Sequence, residues 1–249
     1  MAEIQVPAGY KFAGKDGAKR FLELTENPPS GRELGVIIPA EKDEGGFWFV
    51  IFEFEDVGYV KDEDRDKLDA SALLKSLQEG TEEANKVRKE RGWDAFHITG
   101  WYKAPFYDAR TNNLTWAIRG RGDNPQDSET VNYSTRILGR RGTMNVDLVL
   151  GADGVTATVP KFEDVMTGFS YVEGQRYAEY RAGDKIAEYG LAALITGGAG
   201  AVLVKSGLLQ KFWKLIVVGF VALAASLKKM FAYLKRILTG KAGEESPVE

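Results

Sequence analysis

The sequence predicts an α+β fold: an antiparallel sheet flanked by helices, followed by C-terminal membrane helices. Three observations carry this. Segments rich in aromatic and β-branched residues recur at hairpin spacing through the middle of the chain. Two earlier stretches space their apolar residues as helices do. The last quarter, from about Gly190 to Leu238, holds two nearly uncharged apolar runs and then a basic amphipathic stretch, unlike anything before residue 187. The expected organisation is a soluble α+β domain over 1–186, a transmembrane helix or helical hairpin over 187–227, and a basic amphipathic helix with a polar tail over 228–249.

Residues 3–6 alternate weakly, and Pro7-Ala8-Gly9 signals a turn. Ala18, Phe21 and Leu22 give residues 15–25 short helical spacing, ended by Asn27-Pro28-Pro29-Ser30-Gly31. Residues 34–38 and 47–54 (FWFVIFEF) read as strands, with Gly45-Gly46 as the turn between them. Gly58-Tyr59-Val60 extends that strand region. The longest amphipathic helix runs from about 66 to 91, with Leu68, Ala72, Leu73, Leu77, Ala84 and Val87 as its stripe. Gly92 is its stop, and Gly80 inside it is a point of division. Strands follow at 95–102, 114–119, 131–138 and 144–150. Then come a short helix at 161–166 and two strand-like pieces, 169–172 and 176–181. Consecutive strands at hairpin spacing between helices argue for an antiparallel sheet with helices packed on it.

The chain has 249 residues, 44% hydrophobic and 28% charged, which suits a globular protein. Its net charge of -3 hides an asymmetry. Residues 187–249 carry eight Lys and Arg against four Asp and Glu, and the rest of the chain is acidic. An acidic head argues against nucleic acid as a partner. A basic tail beside apolar runs suits an anionic membrane surface. With no cysteine, disulfides, thiolate zinc sites and cysteine nucleophiles are excluded. The opening MAEIQVPAGYKF has neither the basic nor the apolar region of a signal peptide.

A bilayer core of about 30 Å needs about 20 apolar helical residues. The run 189–204 is marginal and rich in Gly and Ala. The run 215–227 reaches that length with Trp213 at one interface and Lys228 and Lys229 snorkelling at the other. Either both runs cross as a hairpin or only the second does. Gly190, Gly197, Gly198 and Gly200 form the kind of small-residue face that lets helices approach closely, which predicts a homo-oligomer. Leu227, Met230, Phe231, Leu234, Ile237 and Leu238 fall on one helical face, with Lys228, Lys229, Lys235 and Arg236 on the other. That is the pattern of a helix lying in the headgroup region of a lipid bilayer.

Catalytic signals are weak. His97, the only histidine, sits out of phase with Phe96 and Ile98, so it reads as a solvent-face strand residue without a second histidine for a metal site. The acids from Asp62 to Asp69 start like a calcium loop. The sixth position is then Lys67 instead of Gly and the twelfth Leu73 instead of Glu, so helix N-terminal chemistry with Asp69 as cap is the better account. Asp108 reads as a turn residue. Arg136, Arg140 and Arg141 beside Gly139 and Gly142 could form an anion site, but read more simply as solvated arginines at a strand turn. No catalytic residue, cofactor or metal site is assigned.

The stretches IQVPAGYKF, FEDVGYVKDEDRDKLDASALL, GWYKAPFYDARTNNLTWAI, VNYSTRILGRRGTMNVDLV and GQRYAEYRAGDKIAEYGLAALITGGAGAVLVKSGL cover nearly the whole chain in order. On these the sequence resembles a bacterial family of membrane-anchored proteins, Domain of Unknown Function 2167. The resemblance implies a head facing the cell envelope. It places the protein at the bacterial cell membrane, with the head periplasmic if a signal peptide has been removed, and it supplies no activity. A sheet-and-helix sandwich of the Mog1/PsbP kind is a fold analogy, which by itself gives no function. The expected function is a non-enzymatic assembly or binding module of the bacterial envelope, self-associating through Gly-rich membrane helices. The alternative is a membrane-tethered enzyme with a carboxylate/arginine site on the soluble domain.

Overall fold

The computed structural model describes residues 1–25, 29–90, 92–124, 126 and 128–197. Its centre is a seven-stranded antiparallel sheet built from β2 (Tyr10–Gly14), β3 (Glu33–Pro39), β4 (Trp48–Glu55), β5 (Phe96–Asp108), β6 (Asn113–Gly122), β7 (Thr130–Leu138) and β8 (Thr143–Gly151). The spatial order is β2-β3-β4-β8-β7-β6-β5. β5 to β8 form a meander that folds back to place β8 against β4, so the most apolar strands of both halves meet at the centre. A two-stranded ribbon, β1 (Ala2–Ile4) with β9 (Phe169–Tyr171), lies beside it.

Side chains alternate across this sheet, so each strand feeds two cores. On one face Trp48, Val50, Ala117, Val131, Tyr133, Val146 and Leu148 meet Phe162 and Val165 of α3 (Val155–Thr167) and the β1–β9 ribbon. The opposite face carries α1 (Lys15–Leu24) over Val36, Phe49, Ile51 and Val149. It also carries α2 (Ala70–Glu90) with α4 (Leu191–Thr196) over Phe96, Leu114, Trp116 and Ile118. The α+β class and the antiparallel sheet flanked by helices are therefore as the sequence predicts.

Several elements differ from expectation. α2 starts at Ala70 after a single 3₁₀ turn at Arg65–Lys67, and Asp69 caps it by accepting from the Ser71 and Ala72 amides at 3.0 Å each. Gly80 does not divide α2: it is buried, and the helix continues through it. Of the expected stripe, Leu73 and Ala84 are buried and Ala72 is exposed. The side chain of Val87 and the residue Arg91 lie outside the description. On either side of Gly80 the inward face also carries amides. Asn85 donates to the Phe96 carbonyl (2.7 Å) and accepts from its amide (2.9 Å), and Gln78 donates to the Ile98 carbonyl (3.1 Å). These amide side chains occupy backbone groups of an edge strand that would otherwise need another strand.

β5 runs on past Tyr102 to Asp108, because Pro105 sits at a register shift on an edge strand, where a missing N–H breaks no ladder. α3 is longer than expected, with Pro160 inside it. Residues 176–181 form a 3₁₀ turn at Tyr177–Glu179 instead of a strand, joined to the sheet by the Gly139–Arg176 bridge and by Tyr177, which is buried with Leu114 and Trp116. Tyr59 makes a lone parallel bridge to Ile186, so 58–60 is not a strand either. Gly142 has no room for a side chain: a Cβ would sit 1.9 Å from the Glu55 carbonyl oxygen, which lets the β7–β8 turn close against β4.

Candidate functional site

Two constellations stand out, one on each face of the sheet. The first exists because α3 packs toward β8 and β7 and leaves the β5–β6 part of its face uncovered. A groove of about 780 Å³ opens there, floored by Thr115, Thr135 and Ile137 and walled by Phe162 and Met166 of α3. Lys103 and Phe106 of β5 line the same space, as does Arg176. The Lys103 ammonium donates to the Tyr133 hydroxyl at 2.8 Å and lies over that ring, 5.2 Å from its centroid. Phe106 is 58% exposed, a large aromatic left in contact with water. Asp108, also in the lining, accepts from the Arg110 amide (3.0 Å) and guanidinium (both bonds 3.1 Å). These bonds hold its pKa below the usual carboxylate value.

The second constellation is a polar strip across the opposite face. The register places Glu33, Glu53, Asn145 and Arg136 side by side on β3, β4, β8 and β7, with Asp147 and Ser134 in the next row. Asp147 accepts from Ser134 (2.6 Å) and Arg136 (3.1 Å), and the Arg136 guanidinium lies 4.8 Å from the Trp116 ring centroid. Glu53 accepts from Ser30 (2.6 Å), and Arg32 pairs with Glu55 at 2.6 Å. Glu33 accepts from the Ser30 and Gly31 amides. Burial pushes the Glu53 pKa up, against the pull of Ser30 and Arg32, and the nearby Asp147 and Glu33 carboxylates add to the rise.

Of the three arginines expected to be solvated at a strand turn, Arg141 is exposed and the other two are not. Arg136 is 3% exposed and Arg140 8%. Arg140 grips Asp184 with two bonds of 2.7 Å and donates to the Gly174 carbonyl at 3.3 Å, so it ties a distant loop to the turn. That hydrogen bonding holds Asp184 down at about 2. His97 is also more engaged than a bare solvent-face residue. Nδ1 lies 2.7 Å from Glu82 and Nε2 2.8 Å from Asp123, which joins α2 to the turn after β6.

Hydrogen bonds to Asp123 and Glu82 raise the His97 pKa above 6.5, because both ring nitrogens donate only as imidazolium. A raised folded value means the stabilisation is complete below the unfolded pKa and is lost as pH rises through the folded one. Urea midpoints are therefore expected to fall as pH rises above about 6.5. His97→Phe should flatten that part of the profile, and an unchanged profile in the variant would remove His97 as its source.

Of the residues singled out for the membrane or oligomer, Gly198, Gly200, Trp213, Lys228, Lys229, Lys235 and Arg236 lie outside the described residues. Gly190 and Gly197 bracket α4. A Cβ on Gly190 would meet the Asp64 carboxylate at 2.7 Å, and that carboxylate accepts from the Leu191 (3.1 Å) and Ala192 (3.2 Å) amides. Gly197 ends the helix with φ 99°, a left-handed conformation that favours glycine. Asp64, part of the calcium-like stretch, is thus a helix cap acting across 127 positions of sequence. Among the described residues no group of His, Cys, Asp and Glu is arranged to hold a metal ion. Among the same residues no helix is long and apolar enough to cross a membrane.

The head defines a class: an antiparallel sheet sandwiched by helices, with a groove on one face and a buried polar strip on the other. The family model described as protein of unknown function (DUF2167) matches residues 1–228, and the chain belongs to that family. No curated protein matches it. Among solved structures it is similar to cyanobacterial PsbP (CyanoP) from Synechocystis sp. PCC 6803, at 13% identity and a TM-score of 0.40, covering 68% of this chain and 85% of that one. It is also similar to the Saccharomyces cerevisiae Ran-binding protein Mog1p, at 10% identity and a TM-score of 0.37, covering 72% and 93%. Likeness at this level carries no argument about function.

Proposed function

We propose that this chain is a membrane-anchored bacterial envelope protein whose head is a binding or assembly module. The groove between α3 and the β5–β6 hairpin is the observation that carries the binding role: it is concave, largely apolar, and holds a few fixed polar groups. The anchor rests on the sequence of the tail, with its two apolar runs and its basic amphipathic stretch. Self-association through the glycine-rich run is part of the proposal. Since Gly190 and Gly197 serve α4 locally, it falls to Gly198 and Gly200.

Full-length protein mixed with anionic vesicles should float with them in a density gradient. Protein left in the bottom fraction would overturn the anchor. Gly198→Ile with Gly200→Ile should reduce crosslinked oligomers in those vesicles, and an unchanged ladder would remove the self-association.

A second reading, a tethered enzyme with a carboxylate/arginine site, is favoured by one observation. Glu53, with its raised proton affinity, lies among Glu33, Asp147 and Arg136, the kind of perturbed cluster that marks catalytic sites.

A further inference from the structure

We infer that the groove on the α3 face is a site for an organic anion with a flat apolar body, such as an aromatic acid. The inference rests on the reading of the head as a binding module and names the class of ligand.

Size and shape come first. A space of about 780 Å³ falls within the roughly 300–1,000 Å³ usual for small-molecule sites, larger than a simple ion needs. Its floor is the face of a β-sheet, where Thr115 and Thr135 pair across β6 and β7 and bring their hydroxyls within 3.4 Å. Short side chains in register make a shallow floor that a ring can lie on. Phe162 and Met166 offer an apolar wall, and methionine adapts its shape to what it meets. Phe106, mostly exposed at the rim, would gain the most from being covered.

Charge decides the sign of the ligand. Lys103 is held by a 2.8 Å bond to the Tyr133 hydroxyl, on a residue only 4% exposed, so the ammonium is positioned and still has donors to offer. Among the described residues it forms no ion pair with a carboxylate. Arg176 adds a second cation to the lining. The negative charge of Asp108 is taken up by Arg110, and Glu163 on α3 is the other carboxylate present. A cationic ligand would meet Lys103 first. An anionic one replaces water on an ammonium already fixed in place, which reduces the ordering cost of binding.

The test uses full-length protein in mild detergent at pH 7, which does not require a membrane anchor, titrated calorimetrically with 2-naphthalenesulfonate and with its uncharged counterpart 2-naphthol. Saturable binding of about one sulfonate per chain is expected, with naphthol weaker. Lys103→Met should weaken the sulfonate about tenfold, as loss of one charge-assisted bond does, and leave naphthol unchanged. Thr115→Trp should abolish both by filling the floor. Met166→Trp fills the space from the opposite wall, so the test stands if either variant fails to fold. Absence of saturable binding, or a sulfonate affinity indifferent to Lys103→Met, would overturn the inference. Vesicle flotation is read separately, so failure here leaves the anchor unaffected, and a chain that binds the sulfonate without floating would fail only there.

Discussion

Asp147→Leu is expected to lower the stability of the full-length protein by about 3–5 kcal/mol, seen as a large fall in the urea midpoint with little change in slope. The carboxylate is 8% exposed and sits between Ser134 and Arg136, themselves 1% and 3% exposed. Removing it takes away the carboxylate paired with a buried guanidinium at 3.1 Å and the acceptor for the Ser134 hydroxyl. Breaking a buried pair by removing one partner costs far more than the intact pair contributes. The double replacement Arg136→Met with Asp147→Leu should therefore recover most of the loss, since Met can cover Trp116 much as the guanidinium does. Asp147→Asn should fall between the two, keeping an acceptor and losing the charge. A single variant within about 1 kcal/mol of the parent would show that the strip is solvated and that its residues do not act as one network.

That strip also shows where sequence reasoning stops. On β7, Asn132, Ser134 and Arg136 alternate with Val131, Tyr133 and Thr135. Period-two alternation says that the two faces of a strand differ. It does not say which is wet, and here residues of both faces are buried. The apolar strands were legible for the same reason: FWFVIFEF and MNVDLVL carry enough β-branched and aromatic residues to be strands in any context. The extension of β5 was hidden by Pro105 and much of α3 by Pro160, since proline signals an end unless its neighbours supply an edge or a tolerant turn. β2, five residues with one large aromatic at its centre, has too little pattern to be seen. The groove was invisible because it depends on how far α3 reaches across the sheet. Lys103 was passed over because its partner, Tyr133, is 30 residues away.

Leu191→Ala is expected to cost the head about 2–5 kcal/mol, the range for truncating a fully buried leucine. Composition assigned residues 187–227 to the membrane, yet Leu191 is 0% exposed, and Leu194 and Ile195 are each 4% exposed. They pack with Val60, Leu73 and Tyr177 against the sheet. A helix of six residues cannot hold itself together, because nucleation consumes most of what its few bonds return. α4 has help at its start. Asp64 accepts from the first two amides, and its negative charge complements the helix dipole. Asp64→Ala should thus cost about 1–2 kcal/mol in the same assay, as loss of a cap does. If residues 191–196 instead lived in lipid, Leu191→Ala would leave the urea midpoint of the head unchanged and alter only vesicle binding. The two measurements on one variant therefore decide which side of Gly197 the tether begins on.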